Sequence, residues 1–507
     1  MASEADKAGR AGEYKISLDD SCVEVCSKYL DDDDLRKEIL VAHRNLCRDG
    51  RFSNQAIVNR ILALEDEKAR LLGNDSYSNF VLKHNMLKTK ADVDSFLAKV
   101  YEEAKPQFDK DLTALRLYAK NFYAKTNVDG ELTPWNRAYL GQKMKTDLYG
   151  FDREQLRPYF EINNVMNGLF KIVEELYGIK IIEKKTVALG SEAGEYFNGL
   201  VQVWDEDVKY YEIFESNGNF IGGFFADLYQ RKNKHSGAWC SGLVCGGIHS
   251  DGKWHYPVGV ICANVPKPTQ GEPSLLLHSE TEVIFHEFGH LMHLMFGKVD
   301  YPSLNGYHVA MDFVELPSQL MENFCWEPRS LALFAKHHIS GELIPADLFN
   351  RLLASRSFMA SLSLMGQLDL TVMDIELYGN YAKYNSCQTL DAVLEDVLGK
   401  YRIDYREKPP SIIYRFSHIF SGGYASEYYS YMWSEVLDAD AFTLFKANGV
   451  IDRATGHLFR DKILSVGDSV DPLENFKFFV KREPDIRPFL MRRGCLQPDV
   501  DENKNKK

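Results

Sequence analysis

The sequence lacks the features of a membrane-spanning or exported protein. No run of roughly 18 apolar residues occurs in it, so we expect no transmembrane helix. The opening stretch, Met1 to Lys7, has no apolar signal core and is too acidic for a typical transit peptide. The nine cysteines are scattered and form no Cys-x-x-Cys pair, which disfavours a disulfide scaffold and a cysteine-ligated zinc site. These absences predict a cytoplasmic protein.

An excess of positive charge is also missing. The formal net charge is −13, which argues against nucleic acid or an anionic membrane surface as a partner. Apolar residues make up 45% of the chain and charged residues 26%, which are ordinary proportions for a soluble globular protein. At 507 residues, the chain exceeds one ordinary domain and is long enough to bury a large core.

Helical periodicity dominates the sequence outside one interval. Residues 35–125 repeat apolar side chains at helical spacing, and the acidic run Asp31 to Asp34 before them is typical of a helix start rather than a calcium loop. Between about 185 and 265, β-branched and aromatic residues cluster with glycines, which predicts short strands. Asn217-Gly218 predicts a hairpin turn within this interval. Helices are expected again from Glu282 onward.

The segment Phe285 to His293 carries the most specific chemical pattern. On a helix, His286 and His290 lie one turn apart on the same face, so both imidazoles can reach one metal ion. Glu287 adjoins the first of them and is the candidate general base for a water bound to that ion. His293 shares the face but is too far along the helix to bind the same ion. The alternative is a core helix whose histidines hydrogen-bond to backbone or carboxylate groups.

A third metal ligand is expected downstream, because hydrolytic zinc sites use three protein ligands and leave one position for water. Glu315 is the candidate, and Pro317 after it suits the first turn of a new helix. Phe296 stands where metzincins place a third histidine, which excludes that pattern. Asp312, one helical turn before Glu315, has two interpretations: a carboxylate that orients a ligand imidazole, or a helix-start residue.

A glycine- and tyrosine-rich segment near the end of the chain is the second chemical candidate. Attack on a peptide carbonyl creates an oxyanion that needs a hydrogen-bond donor, and Gly422 with Gly423 allows a loop to move as substrate binds. From the residues alone, a packed tyrosine cluster is the favoured interpretation. The candidate donors are His418, Tyr424, Tyr428 and Tyr431.

These segments together resemble one known family. His286-Glu287-Phe288-Gly289-His290, followed by Asp312-Phe313-Val314-Glu315-x-Pro317-Ser318-Gln319, is similar to the thimet oligopeptidase family of zinc metallopeptidases. The late segment Phe416 to Tyr431 is most similar to the oligopeptidase A branch of that family. The resemblance covers residues 35 to 490.

The resemblance implies a role for each matching position. It implies one zinc ion per chain, with Glu287 acting as base on the zinc-bound water and Tyr428 donating to the oxyanion beside His418. It therefore reverses the packing interpretation of the tyrosines. The implied zinc ligands are His286, His290 and Glu315. The positions implied to bind substrate are Tyr424, Tyr431, Gly422, Gly423 and His308.

The implied fold is mainly α, a multi-helical zincin-type metallopeptidase with a small β-sheet beside the active-site helix and a deep substrate channel. We expect an N-terminal helical region at 1–150, with 1–14 disordered, and a catalytic region at 151–498 that includes the sheet at about 195–265. A disordered tail at 499–507 completes the expected organisation.

The implied activity is zinc-dependent endopeptidase action on short oligopeptides. A dipeptidyl carboxypeptidase of the same family and a zinc-containing but inactive peptide-binding protein are the alternatives. The chain is shorter at its N-terminal side than the family pattern, which predicts either a more open channel or a partner that completes this region. A further departure is Tyr307, which stands where many relatives have a small residue and is expected to alter a subsite.

Overall fold

The computed structural model describes residues 13–124, 130–150, 153–189, 199–269, 271–384 and 390–497. The predicted disordered ends, 1–14 and 499–507, lie outside this part of the chain except for residues 13 and 14. The fold is mainly α with small sheets, as the sequence predicts. Asp32 caps the second helix by accepting from the backbone N–H of Leu35 at 2.9 Å, which confirms the helix start in the acidic run.

Helices form the chain up to residue 177. They are α1 (Asp20–Tyr29), α2 (Asp33–Arg44), α3 (Gln55–Leu71), α4 (Tyr77–Val81), α5 (Lys90–Tyr123), α6 (Arg137–Tyr149) and α7 (Ile162–Tyr177). The long helix α5 begins with a capping box, in which Thr89 and Asp92 each bond the backbone N–H of the other.

Strands follow, and the main sheet has five of them. In chain order, the strands are β1 (Ile179–Lys184), β2 (Thr186–Ala188), β3 (Val201–Val203), β4 (Lys209–Glu215), β5 (Phe220–Tyr229), β6 (Trp239–Val244), β7 (Gly247–Ile248), β8 (Trp254–His255) and β9 (Val258–Val265). The main sheet has the order β1-β4-β5-β9-β6, so β6 lies at one edge. Within it, β5 and β9 are parallel and the other neighbours are antiparallel. Two-stranded sheets pair β2 with β3 and β7 with β8.

The sheet starts earlier than the sequence predicts, and its hairpin lies where expected. Strand β1 at Ile179–Lys184 precedes the predicted interval because it follows α7 directly through Gly178, whose positive φ of 66° ends that helix. The turn between β4 and β5 contains Asn217 and Gly218, and Gly218 has φ 91°. The hairpin prediction is confirmed.

Helices resume at residue 278. They are α8 (His278–Phe296), α9 (Met311–Val314), α10 (Leu316–Glu322), α11 (Pro328–Phe334), α12 (Ala346–Arg356), α13 (Ala360–Gly379), α14 (Tyr381–Tyr384), α15 (Leu390–Leu398), α16 (Ser417–Phe420), α17 (Ser430–Asn448), α18 (Arg453–Phe459), α19 (Pro472–Val480) and α20 (Arg487–Arg492).

Helix α8 packs directly against the sheet. A side chain at Gly259 of β9 would meet Leu291 Cδ1 at 2.7 Å, so glycine is needed for this close approach. Phe288 of α8 contacts Phe224 of β5, with ring centroids 5.7 Å apart. The predicted sheet beside the histidine-bearing helix is therefore confirmed.

Two large hydrophobic cores and a small third cluster of Val23, Cys26 and Ile39 lie in the described part of the chain, and residues on both sides of position 150 contribute to the large cores. One core joins α7, the main sheet and α8 to the helices near the end of the chain. The other joins residues 58–140 to residues 362–436, with Leu140 and Leu362 both in it. Helices distant in sequence thus complete each core, because the apolar face of each helix group needs a partner surface.

Asp312 connects segments that are far apart in the sequence. Its buried carboxylate accepts hydrogen bonds from the backbone N–H groups of Met86 at 2.9 Å and Leu87 at 3.0 Å. The hydroxyl of Tyr429 also donates to it, at 2.8 Å. Its contacts therefore fix the segment before α5 against the region that carries Glu315.

Candidate active site

The two histidines of α8 converge as their spacing predicts. The rings of His286 and His290 lie with centroids 5.0 Å apart and nearly perpendicular, at 82°. Both side chains are mostly buried, with 22% and 15% exposed. The flanking helix surface is apolar and packed in the core that contains Phe285, Phe288 and Leu291. The helix therefore presents both imidazoles from a rigid support.

Glu315 completes a three-residue cluster. Its Oε2 lies 3.2 Å from His286 Nε2 and 3.1 Å from His290 Nε2. One ligand atom from each residue lies within 4.8 Å of the other two. Among the described residues, this is the group of three His, Cys, Asp or Glu side chains close enough to hold one metal ion. The Ser318 hydroxyl donates to the same carboxylate oxygen at 2.8 Å. Two imidazoles and a carboxylate are a donor set that zinc accepts.

Gly289 brings the elements that bear these ligands together. A Cβ at this position would lie 2.4 Å from the carbonyl oxygen of Pro317 and 2.5 Å from the Cα of Ser318. Pro317 sits at the start of α10, as the sequence predicts, so α8 touches the backbone just after Glu315. The close contact sets the distance between the histidine helix and the carboxylate.

A carboxylate that the sequence analysis missed orients His286. The Nδ1–H of His286 donates to Glu322 Oε1 at 2.7 Å, which leaves Nε2 free to face the cluster. Glu322 follows Glu315 by two turns of α10, so both carboxylates lie on the same face of that helix. This spacing is the sequence signal that could have identified Glu322. The predicted contact of Asp312 with a ligand imidazole is not formed, because its oxygens bind Met86, Leu87 and Tyr429 instead.

The electrostatics of the cluster suit a cation. Burial opposes protonation of His286, but the carboxylates of Glu315 and Glu322 outweigh it and raise the pKa of His286 to about 10. Burial likewise raises the pKa of Glu315, but His290 and His286 hold it well below its ordinary value. A site that draws a proton so strongly onto one imidazole has the negative potential that attracts a divalent ion. The cluster can hold a metal.

Glu287 lies beside the cluster at the edge of the sheet. It is 8% exposed, and this burial raises the pKa of its carboxyl while the charges of His286 and His290 oppose the rise. The backbone N–H of Cys240 on the edge strand β6 also favours the ionised form. The carboxylate is therefore positioned between the metal-binding helix and the strand edge.

The glycine-tyrosine segment closes over the other side of the cluster. The Tyr424 hydroxyl donates to Glu315 Oε1 at 3.2 Å. The ring of Tyr431 stacks on Tyr424 with centroids 4.8 Å apart, and its backbone carbonyl accepts from Gln319 Nε2 of α10 at 3.2 Å. The ring of His418 lies 6.3 Å from each of these tyrosine rings. The structure thus brings these predicted residues to one place.

Tyr428 lies in the same cluster of rings, and its role as oxyanion donor stays a prediction. Its hydroxyl lies 3.4 Å from Gln367 Oε1, and its ring lies 5.4 Å from the ring of Tyr431 and 5.6 Å from the ring of His418. Helix α17 begins only at Ser430, so Tyr428 precedes it, and the Asp374 carboxylate holds its backbone N–H at 2.9 Å. The charges of Glu315 and Glu287 act instead on Tyr431, whose pKa is raised to about 12 mainly by burial.

Both loop glycines are required by the turn before Tyr424. Gly423 has φ 85°, a left-handed conformation that other residues rarely adopt. A side chain at Gly422 would lie 2.9 Å from the backbone of His418. The turn thus holds the imidazole of His418 next to the tyrosines.

The loop before Glu315 reaches the sheet edge. The Tyr307 hydroxyl accepts a hydrogen bond from the backbone N–H of Gly242 on β6 at 2.5 Å. His308, the predicted substrate contact on this loop, points its Nδ1 toward the carbonyl oxygens of Asn305 at 3.1 Å and Pro302 at 3.2 Å. Its contacts stabilise the loop itself.

His293 does not join the cluster. It is fully buried, and within the described residues neither ring nitrogen has a hydrogen-bond partner. Burial lowers the pKa of His293 to about 3, so the ring is neutral. It packs as part of the helix core, which agrees with its expected exclusion from the metal site.

Comparison with known proteins places the chain in one family. The model of peptidase family M3 matches residues 26–495. Oligopeptidase A of Escherichia coli (strain K12) is 37% identical over 489 residues, which cover 95% of this chain and 69% of that protein. Oligopeptidase A of Haemophilus influenzae is 34% identical over 501 residues, covering 97% and 70%. The dipeptidyl carboxypeptidase of Escherichia coli (strain K12) is 30% identical over 444 residues, covering 87% and 62%.

Within the described ranges, every helix falls short of the combined length and apolar character that a membrane crossing needs.

The family match spans both large cores and the entire metal-binding cluster. The chain therefore belongs to peptidase family M3.

Proposed function

We propose that this protein is a zinc-dependent endopeptidase that hydrolyses short oligopeptides. The observation that supports this most is the convergence of two imidazoles and one carboxylate, with the buried carboxylate of Glu287 on the residue after the first imidazole. His286, His290 and Glu315 would hold the zinc ion. When bound, zinc would supply Lewis-acid polarisation of the scissile carbonyl and lower the pKa of the attacking water.

Glu287 moves the proton. Its carboxylate takes a proton from the attacking water and later delivers it to the leaving amine nitrogen. The N–H of Cys240 and the buried setting hold the carboxylate in one orientation. This preorganisation keeps the base within reach of both proton-transfer partners.

Tyr431 is the oxyanion donor in this proposal, in place of Tyr428. Its ring is fixed by stacking on Tyr424, and it lies close enough to Glu287 and Glu315 to experience their charges. A fixed hydroxyl donor stabilises the charge that develops on the carbonyl oxygen. Tyr428 and His418 line an adjacent cavity of about 390 Å³ that can accept a substrate side chain.

The edge strand β6 is the candidate support for the peptide backbone. An extended peptide can add to a free strand edge, and β6 pairs only with β9 in the main sheet. However, Gly242 already donates its N–H to Tyr307, and the N–H of Cys240 faces Glu287. Tyr307 therefore competes with substrate for one backbone position.

We expect Tyr307→Phe to bind peptides more tightly than the unmodified protein. Removing the hydroxyl frees the Gly242 N–H for a substrate carbonyl, and one such bond of ~1 kcal/mol lowers KM by roughly fivefold. The measurement is steady-state cleavage of a quenched fluorescent peptide. Tyr301→Phe is the matched control, because Tyr301 lies on the same loop and is 69% exposed. An unchanged KM in Tyr307→Phe would show that substrate does not use this N–H.

Glu322→Gln is expected to weaken zinc binding while leaving the fold intact. Loss of the charged acceptor from His286 Nδ1 lowers the basicity of that imidazole, and such partners typically contribute about 10- to 100-fold in metal affinity. Competition with a calibrated chelator measures the change. The same substitution at the exposed Glu103 should leave affinity unaltered. Equal zinc affinity in Glu322→Gln and the unmodified protein would refute the orienting role.

Two measurements test the proposed function itself. Metal analysis combined with cleavage of a quenched fluorescent peptide should show zinc-dependent hydrolysis that a chelator abolishes. Binding of that peptide without hydrolysis would instead favour a zinc-containing binding protein. Mass spectrometry of the products of a longer peptide distinguishes internal cleavage from stepwise release of C-terminal dipeptides, the action that the name of the carboxypeptidase relative describes.

A further inference from the structure

A cavity of about 390 Å³ lies on the opposite side of α13 from the tyrosine cluster. Gly366, Asp369 and Met373 of α13 line this cavity. Gln367 and Thr371, on another face of the same helix, line the cavity that contains His418 and Tyr428. The two cavities share no lining residue, and the first has a volume typical of small-molecule sites.

Two arginines line the cavity without a partner. Among the described residues, Arg44 at the end of α2 and Arg137 at the start of α6 have no side-chain hydrogen bond or ion pair. A cation in the first turn of a helix opposes the helix dipole, so the charge of Arg137 does not stabilise α6 through that dipole. Its position is better explained by a ligand.

The carboxylates that line the cavity are largely committed elsewhere. Asp369 binds Arg402 at 2.5 Å, and Glu395 binds Arg402 at 2.9 Å as well as Lys408. Asp404 is exposed, and its backbone carbonyl accepts from Arg116. The ion pairs engage Arg402 and Lys408 with Asp369 and Glu395, and the four cations and three carboxylates of the lining leave it with one net positive charge.

The electrostatics agree with the position of both arginines in the lining of one cavity. Burial, together with the charges of Arg415, Arg137 and Arg402, lowers the pKa of Arg44 to about 10 against the opposing charge of Asp369. Burial raises the pKa of Tyr405, whose phenol feels the charges of Arg137, Arg116 and Arg44. An anion between the guanidinium groups would relieve this repulsion and use the tyrosine hydroxyl as a further donor.

Much of the remaining lining is apolar, alongside Ser27 and Ser411. Such a wall favours a ligand that carries its charge on a hydrocarbon or aromatic body. The apolar lining residues include Leu40, Phe108, Ala138, Leu362, Tyr401 and Ile403.

We propose that this cavity is a binding site for a small organic anion, a carboxylate or a phosphomonoester on an apolar group. Arg44 and Arg137 bind the anionic oxygens, and the apolar wall contacts the remainder. Guanidinium groups suit both chemistries because their planar donor pairs match carboxylate and phosphate oxygens. The site is separate from the metal cluster, since none of the three metal-binding residues lines it.

Calorimetric titration of the full, zinc-loaded chain tests the proposal. The probes are phenyl phosphate, benzoate, inorganic phosphate and the uncharged benzyl alcohol. We expect saturable binding of phenyl phosphate or benzoate, weaker binding of inorganic phosphate and none of benzyl alcohol. The stronger of the two aromatic anions identifies the preferred head group. Binding of benzyl alcohol as tight as that of the anions would overturn the proposal.

Variants then locate the binding. Arg44→Gln and Arg137→Gln should each weaken binding by about tenfold or more, because a hydrogen bond to a charged group is lost in each. Arg406→Gln is the matched control, since its side chain is 81% exposed in the neighbouring loop and should not affect affinity. Arg44→Lys and Arg137→Lys keep the charge and should give intermediate affinities. Unaltered binding in folded glutamine variants would overturn the assignment.

An anion can also bind to zinc at the metal site, so this alternative location needs its own test. Titration after zinc removal should give the same affinity as before, because the cavity does not contain the metal-binding cluster. Loss of binding on zinc removal would show that the anion sits on the metal and would overturn the proposal. Hydrolysis by the two glutamine variants should continue, which separates this result from the test of the proposed activity.

Discussion

Glu287→Gln lowers kcat by about 10³-fold, or ~4 kcal/mol, if the carboxylate is the general base. Glutamine preserves the size of the side chain and its position between α8 and β6 but accepts no proton at neutral pH. The metal ligands are untouched, so zinc content should equal that of the unmodified protein. Steady-state kinetics with parallel metal analysis measures both quantities.

The exposed Glu103 on α5 provides the control for this substitution. Glu103→Gln makes the same chemical change far from the cluster and should retain full turnover. Full turnover in Glu287→Gln would remove Glu287 from the mechanism. A fall in zinc content along with turnover would mean that the substitution had disturbed the ligands rather than the base.

Gly289→Ala is expected to disrupt the metal site with one methyl group. The new Cβ would lie 2.4 Å from the carbonyl oxygen of Pro317, so α10 must retreat by about 1 Å to reach ordinary contact at 3.4 Å. Overpacking of this kind typically costs about 1–3 kcal/mol. Because Glu315 and Glu322 flank the displaced segment, zinc affinity and turnover should both fall, the latter by about 100-fold for such a displacement.

Gly141→Ala is the matched control, since this helical glycine of α6 has no atom within 4 Å of its virtual Cβ. The control should raise the unfolding free energy by up to ~1 kcal/mol through helix propensity. Thermal unfolding and metal titration distinguish the two variants. Normal zinc affinity in Gly289→Ala would show that α8 and α10 can separate without moving the carboxylates.

The sequence predicts best what helical geometry determines locally. The convergence of His286 and His290 follows from a spacing of one turn, and Glu315 was found through its pattern with Pro317 and Ser318. The hairpin at Asn217-Gly218 similarly follows from local turn chemistry. The structure agrees with these expectations because neighbouring residues largely determine them.

The sequence predicts less where contacts join distant segments. The bond from His286 to Glu322 spans 36 positions, the bond from Tyr307 to Gly242 spans 65, and the bond from Asp312 to Met86 spans 226. Such pairings depend on how helices and the sheet pack, which no local pattern encodes.

The proposal of Tyr431 rather than Tyr428 as oxyanion donor depends on a more local feature. A helix that included both residues would present both hydroxyls on one face. The helix begins at Ser430 instead, so Tyr428 follows a different backbone path. The helix start at Ser430 thus gives the two tyrosines different backbone settings.

The core that joins early and late parts of the chain has a consequence for folding during synthesis. Apolar surface on residues 58–140 is covered by residues 362–436, so Leu140 leaves the ribosome 222 positions before Leu362 (362 − 140). At about 5–20 residues per second, the early helices wait roughly 10–45 s for their partners. During that interval they are natural clients for holding chaperones, and a nascent chain stalled near residue 300 would expose that surface to aggregation.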